Sequence, residues 1–306
     1  MRSVAVALAL SLAACGDSPA SDTDADVPGD PDAGFAYPPP RTDVVPAIGS
    51  DNAIDIATWN VENFPKTIDT PERLADLIAS MELDLVAMQE VESIAGFEEV
   101  VERLREHDGV LSSHTYGDGT YQKVGYIYRK SLLSVTGDRL LLMNNAYEFP
   151  RPPFEIDIAV ADSTVDFSAI VVHLKAGFAS EDRDRREAAV ALLEAHVAGE
   201  VAGAGDEDVI VLGDFNEILT SAGGRAVFAP LLDAPQSYDV RTDELAQGGE
   251  FTFVPTQAML DHVVNTASLD DELAGGDVRV PRLDLLVSDY VDAVSDHLPV
   301  VVSMPR

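Results

Sequence analysis

The 306 residues include a single cysteine, Cys15, so no disulfide can form within the chain. Cationic side chains are scarce: 20 Lys and Arg face 54 Asp and Glu, for a formal net charge of −34. A nucleic-acid binder ordinarily carries a basic footprint. Its lack here argues against tight, nonspecific binding to polyanions and favours a well-solvated surface. It does not exclude an enzyme acting on a phosphate, because divalent cations and a few local Arg or Lys can reverse the field inside a cleft. Long apolar runs are missing too. The one at Val4 to Leu10 is too short to cross a bilayer as a permanent helix. No internal repeat is present. What remains, 46% hydrophobic and 24% charged residues, is enough for a sizeable packed core.

The first residues nonetheless carry a pattern. Arg2, the apolar run and Ser11-Leu12-Ala13-Ala14 resemble a short secretory signal peptide over residues 1–14. Leu12-Ala13-Ala14-Cys15 is similar to the bacterial lipobox, in which the cysteine becomes the lipidated first residue of the mature protein. The expectation is an exported chain, either anchored in the cell-envelope membrane through Cys15 or secreted. Residues 15–51 read as a tether. From residue 16 on they hold eight Asp, seven Pro and no Lys, so they have little apolar surface to bury and should stay disordered. As a flexible coil they would span roughly 30 Å. Asp22-Thr23-Asp24-Ala25-Asp26 lacks the Gly and the later Glu of a calcium-binding loop.

Residues 52–306 read as one α/β domain. Ile54 to Trp59 alternates as a strand, and Thr70-Pro71-Glu72 opens a helix with Thr as N-cap. Further strands are expected at 83–88, 124–128, 155–159, 165–172, 251–253, 260–264 and 298–302. Val209 to Leu212 is a continuous apolar strand of the kind buried on both faces. Helices are expected at 97–106 and 182–200, the latter facing inward through Ala188, Leu192, Leu193 and Val197.

Six of these apolar segments, spread over some 240 residues, end in polar residues able to hold a metal or a phosphate. They are Thr58-Trp59-Asn60, Met88-Gln89-Glu90, Val171-Val172-His173, Gly213-Asp214-Phe215-Asn216, Leu260-Asp261-His262 and Ser295-Asp296-His297. No local structure explains six such endings, whereas sheets that gather strand ends at one rim do. Glu90 is a candidate ligand for Mg²⁺, which prefers oxygen and needs only one or two carboxylates. Asn60 would share that ion or orient Glu90. Asp214 beside Asn216 suits an attacking water next to a phosphoryl oxygen. His173 and His297 supply groups for proton transfer or phosphate binding, with Asp261 the candidate partner of His297. His262, next to Asp261 on a strand, should point to the opposite face. His107, His114 and His196 receive no catalytic role.

The same segments, extended to Thr58-Trp59-Asn60-Val61, Val172-His173-Leu174-Lys175 and Ser295-Asp296-His297-Leu298-Pro299, resemble in order and spacing the endonuclease/exonuclease/phosphatase family over residues 54–304. The resemblance implies a four-layer α/β sandwich, with two mixed β-sheets face to face and helices on the outer faces. It also implies a metal-dependent phosphoric ester hydrolase using Mg²⁺ or Mn²⁺. Carried over residue by residue, Glu90 holds the metal with Asn60 and Asp296, Asp214 positions the water, and Asn216 binds the phosphate. His297, oriented by Asp261, contacts the scissile phosphate or acts as base, and His173 stabilises the leaving side. Phe149-Pro150-Arg151-Pro152-Pro153 resembles the segment that carries a phosphate-binding Arg, here Arg151. One departure stands out. Where pancreatic-type deoxyribonucleases place a Glu to orient the first His, this chain reads Tyr121-Gln122-Lys123. The expected substrate is a phosphodiester, nucleic acid first and a phospholipid head group second, acted on by a monomer.

Overall fold

Strand and helix alternate along the chain because apolar residues recur first at every second position and then at every third or fourth. The computed structural model describes residues 34–203 and 207–306, and Phe35–Arg306 forms a single unit. In chain order the elements begin with β1 (Ala53–Phe64), α1 (Thr70–Met81), β2 (Leu85–Val91), α2 (Ile94–Leu104), β3 (His107–Leu111), β4 (Lys123–Arg129) and β5 (Leu133–Leu140). Then come β6 (Phe154–Val160), β7 (Asp166–His173), α3 (Ser180–Val201), β8 (Val209–Asp214), α4 (Ala222–Val227), α5 (Ala229–Leu232) and β9 (Tyr238–Val240). The chain closes with α6 (Asp243–Gly248), β10 (Asp261–Thr266), β11 (Val278–Arg279), α7 (Leu283–Leu286), α8 (Tyr290–Ala293) and β12 (Val300–Pro305).

Two six-stranded mixed sheets result, ordered β11-β12-β1-β2-β4-β3 and β5-β6-β7-β8-β10-β9. This is the expected α/β sandwich. Side-chain alternation builds its layers. On β7, Phe167, Ala169 and Val171 join the core shared with the first sheet, while Ile170 and Val172 belong to the apolar layer that also holds Ala189, Val190 and Leu193 of α3. On β8, Ile210 and Leu212 face the first core and Val209 and Val211 the second. A strand buried on both faces must be apolar throughout, as Val209 to Leu212 is.

Strand direction gathers the site. β1 runs parallel to β2, and β7 parallel to β8, so Asn60, Glu90, His173 and Asp214 end four strands at one rim. β10 and β12 run antiparallel to β8 and β1, so Asp261 and the Asp296-His297 turn enter their strands at that same rim.

Several expectations shift. Residues 35–51 are not a free tether. Val45 is buried, and the backbone N–H groups of Arg41 and Val44 donate to Asp76 Oδ1 (2.8 Å) and Ser80 Oγ (3.1 Å) of α1. The Arg103 guanidinium of α2 lies 4.8 Å from the Tyr37 ring. The acid-rich part of this stretch ends at Asp32, and Phe35, Tyr37, Val44, Val45 and Ile48 supply apolar anchors that the preceding residues lack. The signal-like segment, Cys15 and the rest of the tether up to Ala33 lie outside the described residues. Phe251–Phe253 makes only isolated bridges, Phe253 to Ala258 and to His297. Ala188 is exposed, and the buried stripe of α3 runs through Arg186, Ala189, Val190, Leu193 and Val197. Asp69, not Thr70, stands at the N-cap position of α1, and its side chain makes no capping hydrogen bond. The Thr70 hydroxyl instead donates to Ala293 O (2.9 Å). His107 sits buried in β3, 3.1 Å from Leu83 O.

The two sheets are bonded as well as packed together. Tyr126 of β4 is fully buried, and its hydroxyl donates to Ala169 O of β7 (2.7 Å), with Phe154 O of β6 at 3.1 Å. Replacing it by Phe keeps the ring and removes the bond. Tyr126→Phe is therefore expected to cost about 1–2 kcal/mol in urea unfolding, with the far-ultraviolet spectrum unchanged.

Candidate active site

Backbone irregularities aim the acidic side chains. Register shifts interrupt β1 between Asn60 and Phe64, and the β2–β4 pairing between Met88 and Val91. Glu62, Asn63, Glu90 and Asn216 all take positive φ, between 40° and 63°. Side chains other than Gly rarely adopt this conformation unless their surroundings enforce it, and bulges commonly re-aim residues beside active sites. Gly213 has φ 147°, and a Cβ there would lie 2.0 Å from Val172 O. Only glycine lets β8 run this close to β7 just before Asp214.

The structure brings the expected residues together. Asn60 Nδ2 donates to Glu90 Oε1 (3.2 Å) and to Asp214 Oδ2 (3.0 Å), while Asn60 Oδ1 accepts from Glu62 N (3.0 Å). Asn60 thus orients both carboxylates. Asn63 N donates to Glu90 Oε2 at 2.9 Å. Asn216 N donates to Asp214 Oδ1 (2.8 Å), and its Nδ2 to Asp214 Oδ2 (3.1 Å) and Leu174 O (3.2 Å). With its amide hydrogens committed, Asn216 positions Asp214 in this arrangement and has no N–H left to offer a phosphate.

His173 and His297 differ in state. His297 Nδ1 lies 2.7 Å from Asp261 Oδ2. Burial alone would lower its pKa, but the Asp261 carboxylate, with Asp214 and Asp296, raises it to about 10. His297 is therefore an imidazolium at neutral pH. Its ring packs against Phe253 at 5.0 Å between centroids. Trp59 Nε1 donates to Tyr290 Oη (3.0 Å) and to His297 O (3.2 Å), and Tyr290 Oη also donates to His297 O. Ser295 Oγ, which accepts from His297 N, donates to Asn60 O and so ties the turn to β1. His173 Nε2 lies 3.6 Å from both Glu90 Oε1 and Asp214 Oδ2. Burial, then the charges of Arg151 and His297, push its pKa well down, so it is neutral. Its Nδ1 is buried without a hydrogen-bond partner among the described residues, so no carboxylate orients it. The Gln122 that replaces the expected Glu accepts from Arg151 Nη1 at 2.7 Å instead.

Arg151 also donates through Nε to His173 O (3.2 Å) and through Nη2 to Leu174 O (2.9 Å). It braces the end of β7 as well as sitting beside the site. Residues without an obvious sequence signal complete the rim. Glu62 accepts from Asp296 N (2.8 Å) and from Lys66 Nζ, and Thr252 Oγ1 accepts from Leu260 N and Asp261 N. Glu62 could have been noticed two residues after Asn60, but its role comes from the bulge. His262 is buried on the opposite face, between Thr242 Oγ1 and Glu217 O, as expected.

The donor set fits a hard divalent cation. Carboxylates dominate, and Glu90 Oε1 and Asp214 Oδ2 accept from the same Asn60 amide and both lie 3.6 Å from His173 Nε2. Asp261 Oδ1 is buried without a hydrogen-bond partner among the described residues. Burial, with the Asp261 charge next, raises the pKa of Asp214 to about 7, and burial raises that of Asp296 to about 6. Burial is the main cause in both, with neighbouring carboxylates adding to it and His297 opposing it. Glu90, Asp296 and Asp214 offer the oxygen ligands such an ion prefers.

Comparison with known proteins bears on the family and the fold. The model of the endonuclease/exonuclease/phosphatase family matches residues 57–297. The chain belongs to that family. A deoxyribonuclease of Thioalkalivibrio sp. (strain K90mix) is 26% identical over 273 residues, covering 81% of this chain and 70% of the relative. TDP2 of D. rerio complexed with single-strand DNA product has a TM-score of 0.60 at 14% identity, over 84% of this chain and all of that one. The mannosyl-6-phosphatase of Bacteroides thetaiotaomicron has a TM-score of 0.59 at 16% identity, over 81% of this chain and 98% of that one. The two structures establish the shared fold. Members of the family are phosphoric ester hydrolases, typically dependent on a divalent metal, and this chain is such a hydrolase.

The His297–Asp261 pair gives stability a defined pH dependence. A histidine whose pKa rises on folding contributes in full below its unfolded value of 6.5, and that contribution disappears as pH climbs through about 10. In metal-free protein, the stability difference between the native chain and Asp261→Asn should shrink from about pH 7 to about pH 10. Urea titrations across that interval measure it, and a constant difference contradicts the assignment.

Proposed function

We propose that the chain is a Mg²⁺-dependent nuclease exported to the cell envelope. The observation that carries the nuclease reading is the rim itself, which gathers Glu90, Asp214, Asp261, Asp296 and two imidazoles, in a chain whose 26%-identical relative is a deoxyribonuclease. Mg²⁺ (or Mn²⁺) bound by Glu90 and Asp296, with Asn60 orienting Glu90, would supply charge neutralisation at the phosphoryl oxygens. The remaining chemistry falls to the chain. Asp214, held by Asn60 and Asn216, accepts the proton of the attacking water through Oδ2. The His297 imidazolium donates a hydrogen bond to the phosphoryl group as its charge grows. Neutral His173 lies against Glu90 and Asp214, where its Nε2–H can steady the departing oxygen. Arg151 keeps the end of β7 in place and presents its remaining N–H groups to the substrate phosphate.

Asp214→Asn, Glu90→Gln and His297→Gln are each expected to lower kcat by at least about a hundredfold, with the far-ultraviolet spectrum of the folded chain retained. The substrate is read from a panel of plasmid DNA, single-stranded DNA, RNA, and vesicles of sphingomyelin or phosphoinositide, each with Mg²⁺ and Mn²⁺. Nucleic-acid cleavage supports the proposal, and failure on every substrate ends it. Head-group release without nucleic-acid cleavage would favour the second reading, a phosphatase or phospholipase C-type enzyme. The net charge of −34 is the observation on that side, since it disfavours long polyanions.

Export rests on residues 1–15, with Cys15 as the site of lipidation. In a bacterial host, labelled fatty acid should enter the native chain and not Cys15→Ala. Equal labelling of the two contradicts the anchor.

A further inference from the structure

A carboxylate lies buried in the apolar layer beneath α3, where nothing in the hydrolytic reaction uses it. Glu155 of β6 has no exposed surface. Its register partners are Arg139 of β5 and Ile170 of β7, and Ile170 belongs to the layer that α3 covers. A charge in such a place requires compensation. Yet neither Glu155 oxygen has a hydrogen-bond partner among the described residues. Arg139 Nε comes within 2.5 Å of Oε2 without hydrogen-bond alignment, and the same guanidinium also serves Asp157 and Glu200. Burial, then the charge of Glu200, pushes the Glu155 pKa up to about 8.

Helix α3 sets two more donors over this carboxylate. His196 and Glu200 are four residues apart and share one helix face. His196 Nε2 is buried without a hydrogen-bond partner among the described residues, 3.5 Å from Glu200 Oε1. One ligand atom each of Glu155, His196 and Glu200 lies within 4.8 Å of the others. In a tetrahedral zinc shell the metal–ligand distances are about 2.0–2.2 Å, so neighbouring ligand atoms stand roughly 3.4 Å apart. The His196–Glu200 separation already matches such an edge, and small side-chain movements would close the triangle. Two carboxylates and one imidazole form a donor set that a borderline divalent cation accepts.

We propose that Glu155, His196 and Glu200 form a second cation site, selective for a borderline divalent ion such as Zn²⁺, that pins the C-terminal half of α3 to the second sheet. The site is built from residues that take no part in hydrolysis, so it stands whatever the substrate proves to be. Arg139, nearly half exposed, moves toward Asp157 and solvent when the ion binds.

The test is Zn²⁺ equilibrium dialysis of the chelator-stripped full chain, with metal analysis, for the native protein, His196→Gln, Glu200→Gln, Glu155→Gln and Glu90→Gln. The native chain should retain one Zn²⁺ equivalent more than His196→Gln or Glu200→Gln, and the Zn²⁺-induced rise in melting temperature should fall in those variants. Glu90→Gln should keep this equivalent, which separates it from the catalytic rim. His196 and Glu200 lie on a helix flank, so their variants carry the test even if Glu155→Gln does not fold. Equal stoichiometry in the native chain, His196→Gln and Glu200→Gln overturns the proposal, as does loss of all bound Zn²⁺ in Glu90→Gln. A response of the three residues to pH alone, with no change in bound Zn²⁺, would leave a proton shared between Glu155 and Glu200 and likewise overturn it.

Discussion

Like charges crowded into one dry rim are the constraint on which the rest of this molecule depends. Glu90, Asp214, Asp261 and Asp296 converge there with His297 as their buried cation, and the carboxyl pKa values of Asp214 and Asp296 rise in consequence. Repulsion of this kind would push the strand ends apart if each side chain were free to turn away. None is. Asn60 donates to two of the carboxylates at once, the Asn63 N–H holds Glu90, and the Asn216 backbone holds Asp214. Positive φ at Glu62, Asn63, Glu90 and Asn216 is the conformational cost of these bonds. A stack of two sheets, bonded through Tyr126 and packed on both sides, supplies the rigidity that maintains such an arrangement.

Much of this was legible in the sequence because polar residues at strand ends interrupt an otherwise regular apolar alternation. Asn60, Glu90, His173, Asp214, Asp261 and His297 each stand where an apolar run stops or starts, and strand direction does the rest. The supporting contacts were not legible, since they depend on departures from regularity. Glu62 reaches Asp296 only because β1 bulges after Asn60. Gln122 marks a missing carboxylate in the sequence, but that Arg151 claims it depends on a loop crossing from the other sheet. Residues 35–51 were hidden by composition: proline and aspartate outweighed a few apolar anchors whose value depends on α1 and α2 lying beneath them. Strand β5 escaped notice for a similar reason. As an edge strand with a glycine bulge it is mostly exposed, so it shows no apolar face to count.

The two acidic clusters invite comparison because the same physics acts on both. At the rim, asparagine side chains and backbone N–H groups satisfy the oxygens of Glu90 and Asp214, and His297 adds a full positive charge. Under α3, Glu155 has the Arg139 guanidinium nearby but no hydrogen bond in good alignment. Replacing a buried carboxylate and its guanidinium together with apolar residues is often neutral or stabilising, so the ion pair with Arg139 is weak grounds by itself for keeping this Glu. Its presence in an apolar layer, next to a His and a Glu spaced for one helix face, is therefore better explained by a ligand than by stability.

The acidity of the whole chain bears on how a phosphate reaches the rim. The nearby cations are already engaged. Lys66 is bound to Glu62 and Val291 O, Arg186 to Glu217, Lys175 to Asp182, and Arg151 to two main-chain carbonyls and Gln122. They hold the frame and offer little to a polyanion passing over the surface. An incoming phosphate is then met chiefly by His297, by whatever N–H groups Arg151 retains, and by a divalent ion among the carboxylates. Few phosphate contacts mean few released counterions, and so a shallow dependence of affinity on salt. The same scarcity favours recognition of one or two phosphates at the point of cleavage over a long tract of duplex. Under the proposed nuclease reading, a strand end, a short single strand or an isolated phosphodiester would on that ground suit this rim better than extended double-stranded DNA.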